Sequence, residues 1–112
     1  DGEYYDGTNY SPCKILIDIG VSGSYINHKL IRNLVCYWLQ EPYQYKNFNG
    51  EVHDVDTAVE TNIRLGEVKI PIRLLVENEG FNDTLEIVLG TSFLEQVSPY
   101  KIINFGLQIN YT

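Results

Sequence analysis

Basic residues are scarce in this chain. Eight lysines and arginines stand against fifteen aspartates and glutamates, for a formal net charge of −7. A surface of that sign repels polyanions, which argues against nucleic acid or an anionic membrane surface as the main partner. Long apolar runs are also missing, and none approaches the roughly 18 residues that span a bilayer. The opening stretch DGEYYDGTNY is polar and acidic and lacks the pattern of a signal peptide. Methionine is absent throughout, and the expectation is a fragment or processed product of something longer. Cysteine occurs twice, as Cys13 and Cys36. With His28 and His53 these do not give the close paired spacing of a zinc site, so neither a metal nor a cofactor is expected. Two semi-buried thiols in a reducing compartment are preferred over a disulfide.

What remains is enough for one folded domain. The chain has 112 residues, 44% of them hydrophobic, with nine tyrosines. That length fits a single domain with a modest core, and the composition is not that of a disordered segment.

Along the chain, residues 1–12 read as a floppy arm ending at Pro12. Residues 13–19 are apolar and β-branched and predict a buried strand. Asn27 is placed to cap a short helix carrying Leu30, Ile31, Leu34 and Val35 on one face. Pro42 breaks what precedes it, and from Gln44 the pattern is β. Asn49–Gly50 is a strong hairpin signal, followed by a strand with Val52, Val55, Ala58 and Val59. Leu65–Gly66 marks a second hairpin, whose return strand places Val68, Ile70 and Ile72 on one face. NEGFND is a polar loop. LEIVLG is a second buried strand ending in glycine. Thr91 or Ser92 then caps a short helix with Phe93, Leu94 and Val97 inward, stopped by Ser98–Pro99. KIINFGLQINYT predicts a last hairpin near Phe105–Gly106.

Two features carry possible chemistry. ILIDIG reads as an apolar strand carrying Asp18 and ending in Gly20. EIVLG reads as a second apolar strand ending in Gly90, and each is followed by a helix candidate. An acid-x-glycine step alone reads as a turn. Paired with the second glycine-ended strand and an intervening hairpin FNGE, it suggests a cleft with a cover. His53, Asp54 and Asp56 read as solvated side chains rather than a metal site, and Glu77, Glu79 and Asp83 as loop acids without function.

Asp18-Ile19-Gly20-Val21-Ser22 resembles the Asp-Thr/Ser-Gly-Ala-Ser/Thr/Asp signature of retroviral-type aspartic proteases, and YIN resembles its apolar continuation. IVLGTSFLEQV resembles the family's second signature. SPYKIINFGLQINYT resembles the closing segment of proteases from plant pararetroviruses and related retroelements. Order and spacing match over roughly residues 13–112. The resemblance implies an all-β fold, a small closed barrel of the retropepsin type with one or two short helices, one lobe per chain. It implies a homodimer in which each chain supplies Asp18, because the chemistry needs two carboxylates. Two carboxylates that close share one proton and titrate as a pair. The ionised member activates water for attack on a peptide carbonyl, and the protonated member donates to the carbonyl oxygen. The implied substrate is a viral or retroelement polyprotein, in host cytoplasm or a viral particle rather than outside the cell.

The same resemblance implies substrate-binding roles. Gly20 lets the substrate backbone approach. Phe48, Asn49, Gly50 and Glu51 form the tip of a flap that closes over an extended peptide. Val21 and Val88 line a pocket, though both read equally as core. Gly90 gives tight packing beside the Asp18 strand. The sequence departs from the family at Ile19, where a Thr or Ser hydroxyl bonds across the dimer axis. Isoleucine can compensate by apolar contact between two chains, be an introduced change that lowers activity, or mark a lobe that binds or scaffolds without cutting. Val21, where alanine is usual, crowds the nearby pocket. In an unrelated β-barrel binding module, the strands before Asp18 and Gly90 would not converge.

Overall fold

The computed structural model describes residues 2–31, 33–46, 50–77, 85–97, 100–103 and 106–109. Its centre is the antiparallel pair β6 (Val52–Leu65) and β7 (Val68–Glu77). They join where the sequence predicts, with Leu65 paired to Val68 and Gly66 at a φ of +63°. That left-handed conformation suits the glycine expected in a two-residue hairpin turn. Upstream, β5 (Cys36–Lys46) pairs along β6, with Lys46 opposite Val52. Gly50 has a φ of +81° in the hairpin the sequence predicts there, while Asn49 lies outside the described residues.

Pro42 does not break this strand. β5 continues through it, with an irregularity in the register between Trp38 and Tyr43. Proline has no amide to donate to a ladder, and such an irregularity is where a strand tolerates it.

The residues expected to be a floppy arm form a hairpin instead. β1 (Gly2–Tyr5) pairs with β2 (Tyr10–Cys13), and Glu3 and Tyr4 also pair with Arg64 and Ile63 of β6. Tyr4 is buried in the main core and its hydroxyl donates to the Leu30 carbonyl at 2.9 Å. Asp6 closes the turn by accepting from the amides of Thr8 and Asn9, and Gly7 has a φ of +101°. The signal was present in the sequence, since Asp6-Gly7 between tyrosine-rich flanks is a hairpin pattern.

Three short strands complete the sheet. β3 (Ile15–Ile17) runs parallel to β8 (Ile87–Leu89), and β4 (Tyr25–Asn27) lies between β7 and β8. The strand order is β2-β1-β6-β7-β4-β8-β3, with β5 on β6. Among the described residues this sheet curls into a half-barrel rather than the closed barrel expected, because β2 and β3 remain at its two ends. The fold is thus small and mostly β, with one short α-helix, α1 (Thr91–Gln96).

Alternation divides the sheet's side chains between two clusters. Ile26, Ile70, Ile72, Leu74, Val76, Ile87 and Leu89 join the larger core, which also receives Phe93, Leu94 and Val97 from α1 and its end. Tyr25, Val55, Ala58, Leu75 and Val88 form a smaller one on the other face, with Val21, Leu39 and Tyr43 against it. Covering both faces is why β4, β8 and the end of β7 read as continuous apolar runs. Each such buried aliphatic side chain contributes about 1.5–3 kcal/mol before entropy.

Several local expectations are corrected. β3 is shorter than residues 13–19 and only partly buried, because it is an end strand with Leu16 exposed. The helix after Asn27 is one 3-10 turn, His28–Leu30, although Asn27 Oδ1 does accept from the Lys29 amide at 3.0 Å. Leu30, Ile31 and Leu34 pack on the core, whereas Val35 is 85% exposed. Gly90, not Thr91 or Ser92, occupies the N-cap of α1, without a side-chain hydrogen bond. Glu77 ends β7 as a buried residue rather than standing in the following loop. Cys13 is buried and Cys36 exposed, both as free thiols. β9 (Tyr100–Ile103) and β10 (Gly106–Ile109) form the expected last hairpin as a separate two-stranded sheet. Glu79, Asp83, Ser98, Pro99 and Phe105 lie outside the described residues.

Candidate functional site

The two glycine-ended strands converge. Ile15, Leu16 and Ile17 of β3 pair in parallel with Ile87, Val88 and Leu89 of β8. The ladder runs on past β3, where the Asp18 amide donates to the Leu89 carbonyl at 2.9 Å. Asp18 therefore leaves the sheet at a position fixed by its amide hydrogen bond to β8.

Its carboxylate is held as well. The Gly20 amide donates to Asp18 Oδ1 at 2.8 Å. A Cβ at Gly20 would lie 3.1 Å from that same oxygen, so the absence of a side chain leaves the carboxylate undisturbed. The bond from the Gly20 amide fixes the orientation of the carboxylate. Asp18 is half-buried, while Ile19 beside it is 65% exposed and points an aliphatic side chain with no donor or acceptor at solvent.

The loop after Asp18 is stitched to the start of α1. Thr91 and Ser92 donate their amides to the carbonyls of Val21 and Ser22 at 2.9 and 3.0 Å. The Gly90 amide donates to the buried Ser24 Oγ at 3.1 Å. At Gly90 a Cβ would lie 2.2 Å from the Gly23 carbonyl oxygen and 2.6 Å from that of Val21. No side chain fits there, which gives the tight packing expected of Gly90 a concrete cause.

The remaining sequence candidates are distributed unevenly. Val21 is partly buried against the smaller core, and Val88 is buried within it. Val88 is accordingly a core side chain facing Tyr25 and Leu75 rather than an open pocket wall. Gly50 and Glu51 are exposed at the far end of the β5–β6 hairpin, while Phe48 and Asn49 lie outside the described residues. Near that end, His53 Nε2 lies 3.7 Å from Glu51 Oε2.

Sequence reasoning missed a cleft of about 390 Å³ beside the Asp18 loop. Ser22 and Ser24 border it on one side, Arg73 and Leu75 of β7 on another, and Ser92 and Gln96 of α1 on a third. The hydroxyls of Ser22 and Tyr43 are hydrogen-bonded to each other at its edge. Asp18, Val21 and Val88 do not line it. No sequence motif joins residues from so many elements, although the alternation of IPIRLLVE does place Arg73 on the face opposite Ile72 and Leu74.

Compared with protein-family models, with curated proteins and with solved structures, the chain matches none. Among the described residues no helix is long and apolar enough to cross a membrane.

Proposed function

We propose that the chain is one lobe of a homodimeric, retropepsin-type aspartic endopeptidase that cleaves a viral or retroelement polyprotein in host cytoplasm or a viral particle. The observation that carries this reading is the fixed placement of Asp18. It stands at the end of β3, tied to Leu89 through its amide and to Gly20 through its carboxylate, on a loop locked against Gly90. Water-activating chemistry of this kind needs a carboxylate whose position is set before substrate arrives.

The chain supplies one such carboxylate, and a second copy supplies the other. Two Asp18 groups facing one another share a proton, so one takes a proton from water while the other donates to the peptide oxygen. The exposed Ile19 lies beside the acid, where the second chain would meet it. An extended peptide would lie across the Asp18 loop under the β5–β6 hairpin, bound through main-chain hydrogen bonds.

A second reading rests on the same Ile19. Without a hydroxyl at this position the lobe loses a cross-chain hydrogen bond, which favours a domain that binds polypeptide without cutting it. Incubation of the wild-type chain and Asp18→Asn with a mixed decapeptide library at mildly acidic pH separates the two. The protease reading expects cleavage by the wild type and none by Asp18→Asn. Absence of cleavage by a wild-type chain shown to be dimeric would leave the binding reading in its place.

A further inference from the structure

The cleft beside the Asp18 loop has a chemistry of its own. Three of its lining residues, Ile72, Leu75 and Phe93, are buried and apolar. The other side chains that line it are polar, and one of them, Arg73, is charged. Among the described residues the Arg73 side chain makes no hydrogen bond or ion pair, although Glu60 stands opposite it in the β6–β7 register. The neighbouring Gln96 is already engaged, since its Nε2 donates to the Pro71 carbonyl at 2.6 Å. That bond ties α1 to β7 beside the cleft. The guanidinium of Arg73, with five N–H groups and no side-chain partner, is thus the one cationic group on a cleft with apolar lining residues, in a chain whose net charge is −7.

A guanidinium presents its donors in the geometry that a carboxylate accepts. The apolar lining residues suit the methylenes that precede the carboxylate in a glutamate side chain. The cleft also lies close to the acid. Ser22 is four residues beyond Asp18, a span of at most ~14 Å even if fully extended. In an extended peptide, side chains on one face repeat every two residues, about 7 Å apart. A side chain within about four residues of the bond opposite Asp18 is therefore within reach of the slot.

We propose that this cleft is a specificity pocket for an acidic side chain, glutamate above all, of a bound extended peptide, with Arg73 as the residue that selects it. The assignment of the peptide's path rests on the protease reading, whereas binding of the acidic side chain does not require cleavage.

Binding and cleavage are therefore measured separately. Fluorescent decapeptides carrying Glu, Gln or Lys at each position in turn are titrated against Asp18→Asn, which retains the cleft. One position is expected to bind with Glu about tenfold more tightly than with Gln, and with Lys more weakly still. Arg73→Gln, introduced into the same chain, is expected to remove the Glu-over-Gln preference, and Arg73→Glu to reverse it toward Lys. Circular dichroism and thermal melting verify that both variants fold. Folded chains that bind all three peptide sets equally, or a Glu preference that survives in Arg73→Gln, would overturn the pocket. Cleavage by the wild type without any Glu preference would overturn it and leave the protease standing. An Arg73-dependent Glu preference in a chain that never cuts would support the pocket and remove the protease.

Discussion

The Gly90 amide donates to the buried hydroxyl oxygen of Ser24, and the same glycine lies too close to the carbonyls of Val21 and Gly23 to carry a side chain. The loop that bears Asp18 and the strand end at Gly90 are in this way one rigid unit. Much of what is proposed for the chain depends on that unit being stiff.

Gly90→Ala is expected to destabilise the fold by about 3 kcal/mol, because backbone rather than a flexible side chain must yield. Gly66→Ala is a useful contrast. Nothing lies within 4 Å of a Cβ there, and the cost is only that of a φ of +63°, about 1–2 kcal/mol. Urea denaturation of the two variants checks the order, and a smaller loss at Gly90 than at Gly66 would contradict the packing described.

The N-terminal hairpin gives a second prediction. Tyr4 is buried among the main core residues and hydrogen-bonded to Leu30. Tyr4→Ala is expected to cost about 3–5 kcal/mol, as other large aromatic truncations do. A disordered arm would tolerate the same change without loss, so a single thermal melt distinguishes the two.

That contrast shows what the sequence made legible. β8 and α1 were readable because the apolar spacing of Phe93, Leu94 and Val97 and the glycine before them agree at each level. Gly66 was readable because a two-residue turn demands it. The pairing of β3 with β8 could be anticipated only through the resemblance of the two strand ends. The arm was misread because its short tyrosine-rich strands bury few side chains of their own and depend on β6, far along the chain. Pro42 misled for the opposite reason, since a local strand-breaker is accommodated by an irregular register that only the partner strand reveals. Arg73 and its cleft were invisible because separate elements assemble them.

The two cysteines should behave differently. Burial, with a smaller contribution from the Glu86 carboxylate, pushes the Cys13 thiol up to about 12. Cys36 is exposed. One thiol per native chain is expected to react with a maleimide at neutral pH, and mass mapping should place it at Cys36. The shift also has a sign in stability. The unfolded chain releases the Cys13 proton at lower pH than the folded one, so stability is expected to decline as pH rises from about 9 towards 12. Cys13→Ala should flatten that decline, whereas modification of native Cys13 at neutral pH would contradict its burial.

Within the proposed homodimer, Ile19→Thr tests the departure at the position where the two chains would meet. Each hydroxyl restored to a buried hydrogen bond contributes about 1 kcal/mol. Twofold symmetry doubles the effect, so the dimer dissociation constant is expected to fall roughly thirtyfold. Sedimentation equilibrium of the two chains measures it. A weaker dimer in Ile19→Thr would mean that Ile19 contributes apolar contact the threonine cannot replace.

The central claim is that two copies of Asp18 make one active site, and mixing chains tests it most directly. A fixed amount of wild type is combined with an equal amount of Asp18→Asn, and cleavage of a peptide substrate is followed after the subunits have exchanged. If each site needs both carboxylates, random pairing in a full dimer should lower the rate to about half that of the wild type alone. A rate unchanged by the added chain, under conditions where mixed dimers are shown to form, would contradict a shared Asp18 pair.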